Sequence, residues 1–228
     1  MNNKDFILFS MVSLIAAFLL SDFRFLGVRD LDYIATGLQL IEYVLIFFVL
    51  YFLFITAQRN LALYKGLNPE FEVWQFGPLT GILITFMTYG QLIFFYLGNI
   101  FLKPIRRLRV GRAEKAVSTK EMAAIGVAGP FALFLLSVLI LEPLFYLTRA
   151  EIFSTMMYVS ALIIIYTSLP LPNSNGTNII LYSRVLWLTV LFFGIINLFL
   201  IQAMGFYSFL TGLLMAPLAV YIVYKLLN

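Results

Sequence analysis

Long apolar runs constrain this chain before any other feature does. A hydrocarbon core about 30 Å thick is crossed by roughly 20 apolar residues in helical form. Segments 34–57, 121–142 and 206–227 reach that length with few charges inside them. In lipid, each unpaired backbone N–H or C=O costs several kcal/mol, so a spanning segment must satisfy its own backbone, as a helix does. Soluble domains are about a quarter charged, whereas this chain is 11% charged and 62% hydrophobic. The expected fold class is therefore membrane all-α, a polytopic bundle of about six or seven transmembrane helices. Its 228 residues suit a single integral membrane domain, 1–228, with no separate soluble domain.

Read along the chain, Phe6–Leu20 is the first expected span rather than a signal peptide, because Asp5 spoils the basic leader and no small-x-small cleavage site follows. The second runs from about Ile34 to Ala57, with a polar tail Gln58–Gly66 whose Arg59 and Lys65 mark the return to water. Asn68-Pro69-Glu70 breaks that helix. Two readings fit 78–110. Pro78–Leu102 makes one full span, or a helix Pro78–Thr88 precedes a small membrane-associated β-hairpin around residues 90–110, with strands through Leu102 and over Ile105–Val110. Further spans are expected from Glu121 to Glu142-Pro143, over Ile152–Ser168, over Ile179–Met204 and over Phe206–Leu227. The string Leu169–Gly176 is strongly turn-forming.

The net charge of +4 is unevenly placed, with Lys103, Arg106, Arg107, Arg109, Arg112, Lys115 and Lys120 in one stretch. Positive residues collect in short cytoplasmic loops, so the loop 103–120 is expected on that side, in contact with anionic membrane lipids. Nucleic acid is not an expected partner, since no soluble module carries the charge. Histidine and cysteine are both absent. That excludes disulfides, Ser–His or Cys–His nucleophiles, and zinc sites built on imidazole or thiolate. No cofactor is expected.

Three stretches, taken in order, resemble the site-2 protease family of intramembrane zinc metalloproteases, in its archaeal and bacterial form. Gln58–Gly66 leading into Glu70-Phe71-Glu72-Val73-Trp74 resembles the end of the family's HExxH helix and the EFxxW segment after it. Gly126-Val127-Ala128-Gly129-Pro130 resembles its AGP step, and Ser168–Gly176 resembles its NxxPxPPLDG turn. The resemblance covers a core of about 44–187. It implies a prokaryotic plasma membrane, and it places HExxH on Phe54-Ile55-Thr56-Ala57-Gln58 and the LDG aspartate on Asn175. In the family two histidines one turn apart and that aspartate hold zinc, with the glutamate as general base. Here Phe54, Gln58 and Asn175 replace the ligands and Ile55 replaces the base. Without zinc nothing brings the pKa of water from 15.7 toward 7, so the resemblance implies a non-catalytic homologue, a pseudoprotease.

Such a homologue is expected to bind or assemble with other membrane proteins. The turn Pro170, Pro172, Asn173, Asn175, Gly176 and the stretch Gln91–Leu102 are its candidate contacts for an extended client segment. The alternative, from another class, is a small transporter or channel-like subunit. Glu42, Glu142 and Arg184 are the intramembrane charges on which it rests. Against it, snorkelling at helix ends accounts for Glu142 and Arg184, as does an ion pair of Arg184 with Glu42 or Glu142. The 24 Phe and 13 Tyr are expected mostly toward lipid and in interfacial belts.

Overall fold

Helices with apolar residues on every face supply nearly all of the architecture. The computed structural model describes residues 3–20, 33–73, 76–88, 94–95, 98–104, 117–172, 174–203 and 208–227. In order these form α1 (Asn3–Leu20), α2 (Tyr33–Tyr64), β1 (Leu67–Glu72), α3 (Gly77–Met87), β2 (Asn99–Pro104) and α4 (Thr119–Leu136). A π-helical turn at Ser137–Leu141 joins α4 to α5 (Glu142–Thr148), and α6 (Glu151–Ser168), α7 (Asn175–Tyr182), α8 (Arg184–Ala203) and α9 (Ser208–Leu227) follow. Among the described residues, Gly37–Tyr64, Thr119–Thr148, Glu151–Ser168 and Arg184–Ile201 are long and apolar enough to cross a membrane. Asp5–Leu20, Gly77–Met87 and Ser208–Ile222 are shorter apolar helices. This is the make-up of a helical integral membrane protein.

The second helix is central: α2 packs on α1, α4 and α6, while α8 packs on α6 and α9. Its core is more aromatic than expected. Phe9, Phe47, Tyr51, Phe54, Phe95 and Phe209 are among the largest fully buried side chains. Phe9 stacks on Tyr51 at 5.0 Å between centroids, and Phe95 meets Tyr166 at 4.3 Å. Lipid tails are as apolar as any side chain, so helices associate in a bilayer through close packing rather than through the hydrophobic effect. Large flat rings give much contact per residue. Other rings, such as Phe6, Phe52 and Phe131, do face outward.

The region after α2 departs from expectation. Asn68-Pro69-Glu70 does not simply break a helix. It lies in β1, which pairs antiparallel with β2 from Leu67↔Pro104 to Glu72↔Asn99. Of the two readings, a short helix (Gly77–Met87) with a later strand (Asn99–Pro104) is the one the described residues bear out. Among the described residues the partner of β2 is β1, and the second expected strand, Ile105–Val110, lies outside the described residues. The register explains how two prolines are tolerated. A proline has no N–H, so in an antiparallel ladder it fits only a non-hydrogen-bonded pair. Pro69↔Leu102 and Leu67↔Pro104 are two steps apart and share that parity. The inner hydrogen bonds therefore belong to 68↔103, 70↔101 and 72↔99, and Ile100 and Leu102 turn their backbone groups to the outer edge of β2.

Two spans also end elsewhere than expected. The helix from Thr119 passes through Glu142-Pro143 and stops at Arg149, whose φ of 55° is left-handed. A proline inside an α-helix clashes with the carbonyl four residues back. The π-helical turn just before Pro143, in which the Glu142 N–H bonds to Ser137 O, widens the backbone there and lets the helix continue. Farther on, Ile179–Met204 is not one helix. Ser183 is extended, with φ −156° and ψ 119°, and separates α7 from α8.

Candidate functional site

The three stretches that carry the family resemblance meet around one face of α4. Gly126 and Gly129, three residues apart, lie on that face. A Cβ on Gly129 would lie 2.5–2.7 Å from three ring atoms of Phe54, so the ring occupies the space that the missing side chain leaves. A Cβ on Gly126 would meet Ile179 Cγ1 at 3.2 Å and Asn175 O at 3.5 Å. Small residues at these two positions thus bring α2 and α7 close to α4.

Pro130 contributes to the same contact. Its missing N–H leaves the carbonyl four residues back, that of Gly126, without its helical donor. Gln58 supplies one: its Nε2 donates to Gly126 O at 3.4 Å. Gln58 was expected at the return to water; instead it is fully buried, because α2 continues through Tyr64 and turns this residue inward. Among the described residues, the buried Gln58 Oε1, Asn175 Nδ2 and Ser168 Oγ have no hydrogen-bond partner.

The turn before α7 is held by its own side chains. Ser174 Oγ accepts from Thr177 N at 3.2 Å and from Leu171 N at 3.1 Å, and donates to Leu169 O at 2.6 Å. Thr177 Oγ1 donates to Leu171 O at 2.6 Å. Gly176 abuts the carbonyls of Ser168 and Leu169 so closely that a Cβ there would overlap both. Pro170 and Pro172 are exposed, Asn175 and Gly176 are buried, and Asn173 lies outside the described residues.

The four positions that the resemblance assigns to zinc chemistry, Phe54, Ile55, Gln58 and Asn175, are all buried. They present a phenyl ring, an aliphatic chain and two neutral carboxamides. Zinc in proteins takes thiolate, imidazole or carboxylate, so these residues do not fit the ion. Nor do any three His, Cys, Asp or Glu gather among the described residues.

Beside β2 a cavity of about 140 Å³ opens, lined by Glu72 and Asn99–Leu102, with Met122 of α4 and Asn178 of α7 on its far wall. Asn99 is buried and its Oδ1 has no partner among the described residues. Phe101 stands outward, 46% exposed.

The three intramembrane charges separate. Glu42 and Arg184 are exposed, each on its own helix. Glu142 is not at a helix end and does not snorkel. It is 2% exposed, and its Oε1 accepts from Phe209 N at 2.7 Å and from Ser208 Oγ at 3.2 Å. It therefore caps the N-terminus of α9, where the helix dipole favours a carboxylate. Among the described residues no Lys or Arg pairs with it, so neither it nor Arg184 forms the ion pair considered above. Sequence reasoning missed Ser208, which donates to this carboxylate, and Asn197, which packs against Gly212 one turn further along α9; both are fully buried. Single polar residues inside apolar runs were the available signal.

Comparison with protein-family models, with curated proteins and with solved structures gave no match.

Proposed function

We propose that this chain is a non-catalytic homologue of the site-2 proteases, a membrane scaffold that binds other membrane proteins through the outer edge of β2. The observation that carries the reading is the convergence of Phe54 and Gln58 with Gly126, Gly129 and Asn175. That these residues, distant in sequence, lie together supports the reading, and their chemistry is apolar or neutral. A zinc protease needs an ionised or imidazole ligand set at that point. A phenyl ring seated on Gly129 serves packing and not hydrolysis.

The binding function is proposed from the strand edge. Outward-facing backbone groups of Ile100 and Leu102 beside an open cavity offer an extended segment a strand to pair with. In this reading the protein resides in a prokaryotic plasma membrane with six or seven spans, and the basic loop 103–120 faces the cytoplasm.

A photo-crosslinking residue at Phe101, on β2, and another at Leu214, an exposed position on α9, test this in the native membrane. The scaffold reading expects a discrete membrane-protein adduct from position 101 alone, suppressed by Leu102→Pro, which removes one outward N–H and leaves the inner ladder intact. No adduct at 101, or one indifferent to Leu102→Pro, sinks the strand-edge function.

A further inference from the structure

We propose that Glu142, Asn197, Ser208 and Ser137 form a binding site for a monovalent alkali cation between the α4–α5 helix, α8 and α9. The inference does not rest on the metalloprotease reading. Glu142 Oε1 takes both donors from the first turn of α9, the Phe209 N–H and the Ser208 hydroxyl. No hydrogen bond from the described residues reaches its second oxygen, Oε2.

Asn197 faces the same turn of α9. Its carboxamide atoms lie 2.5–2.8 Å from where a Gly212 Cβ would be. A helical Cβ tilts toward the N-terminus, so that position overlies the turn of Ser208 and Phe209. One turn before Asn197, Phe193 meets Phe209 at 5.9 Å between rings, which sets the same face of α8 against this end of α9. Asn197 Nδ2 is satisfied by Phe193 O at 2.7 Å, but its fully buried Oδ1 has no partner among the described residues. Ser137 adds another orphan. It precedes Glu142 by five residues in the π-helical turn, a spacing that returns both side chains to one face. Its hydroxyl is fully buried and has no partner among the described residues.

Native proteins rarely leave buried polar atoms unpaired, and a cluster of them calls for water or an ion. Every unpaired atom of this set is oxygen, the donor type of hard cations. The cluster carries one formal negative charge and no basic partner among the described residues, so a monovalent cation neutralises it. A divalent ion would leave a net charge buried among apolar helices, at high cost.

Thermal unfolding of the full chain in detergent, with NaCl or KCl exchanged for choline chloride at constant ionic strength, tests the site. A ligand at 100 times its half-saturating concentration raises the midpoint of a chain this size by about 5–10 °C. The wild type is expected to show that rise with sodium or potassium and not with choline. Glu142→Gln keeps an acceptor for the Phe209 N–H and so the cap, but removes the charge; Asn197→Ala removes the orphan oxygen. Both are expected to lose the rise. A wild type that responds equally to choline, or not at all, overturns the site, as does a Glu142→Gln chain that still responds. A carboxyl group that binds only protons would give the second of these results.

Discussion

Adding a methyl group at Gly129 probes the packing on which the account depends. In the native chain the new Cβ lies 2.5–2.7 Å from three ring atoms of Phe54, which is fully buried with Tyr51 stacked 6.1 Å away. Contacts between carbon atoms are comfortable at about 3.5–4.0 Å, so ring or helix must move by roughly 1 Å. Overpacking of this kind costs about 1–3 kcal/mol. Replacing a mid-helix glycine by alanine returns about 0.5–1 kcal/mol, so Gly129→Ala should lower stability by about 1 kcal/mol. On a Phe54→Ala background, itself costing about 3–5 kcal/mol, the clash is gone. The methyl group then part-fills a cavity, and the same substitution should stabilise by about 1–2 kcal/mol. The sign reverses, and the coupling energy is about 2–3 kcal/mol, as expected for side chains in contact. Equilibrium unfolding of the four proteins in mixed detergent measures the cycle. Additive effects, with coupling below about 0.5 kcal/mol, would refute the contact between Phe54 and Gly129.

Two further substitutions probe the same region. Gly176→Ala should abolish folding, since its Cβ would overlap the Ser168 and Leu169 carbonyls and backbone cannot step aside; a monodisperse, stable Gly176→Ala protein on size-exclusion chromatography would contradict that packing. Gln58→Leu gives up a long hydrogen bond at 3.4 Å and an unpartnered buried Oε1, so the two terms offset and unfolding should shift by less than about 1 kcal/mol.

The helical part of the fold was legible because the membrane imposes a local rule. An apolar run of sufficient length must satisfy its own backbone, so α1, α2, α6 and α9 follow from the residues within them. What escaped local reading was decided by distant partners. Leu67–Glu72 alternates apolar with polar residues, but its proline and its short length also suit a helix-breaking turn, and what makes it a strand is the pairing with Asn99–Pro104, distant in sequence. Glu142 beside Pro143 has the local signature of a helix end, yet the π-helical turn carries the helix past the proline, and the carboxylate finds Phe209, 67 residues on. The break at Ser183 likewise has no glycine or proline to announce it. At the candidate site, the lack of zinc-ligand chemistry at Phe54, Ile55, Gln58 and Asn175 could be read from residue identity alone. That Phe54 rests on Gly129, and that Gln58 takes the carbonyl freed by Pro130, required the packing of α2 on α4.

The central proposal is that Phe54, Gln58 and Asn175 stand at the positions that metal ligands hold in the site-2 proteases. Elemental analysis of zinc on the purified wild type beside a Phe54→His, Gln58→His, Asn175→Asp triple variant tests it most directly. Two imidazoles at i and i+4 with a converging carboxylate make the ligand set of a catalytic zinc site with one open position. The account predicts no bound zinc in the wild type and about one per chain in the folded triple variant. A stoichiometric zinc in the wild type, or a triple variant that melts cooperatively and binds none, would contradict it.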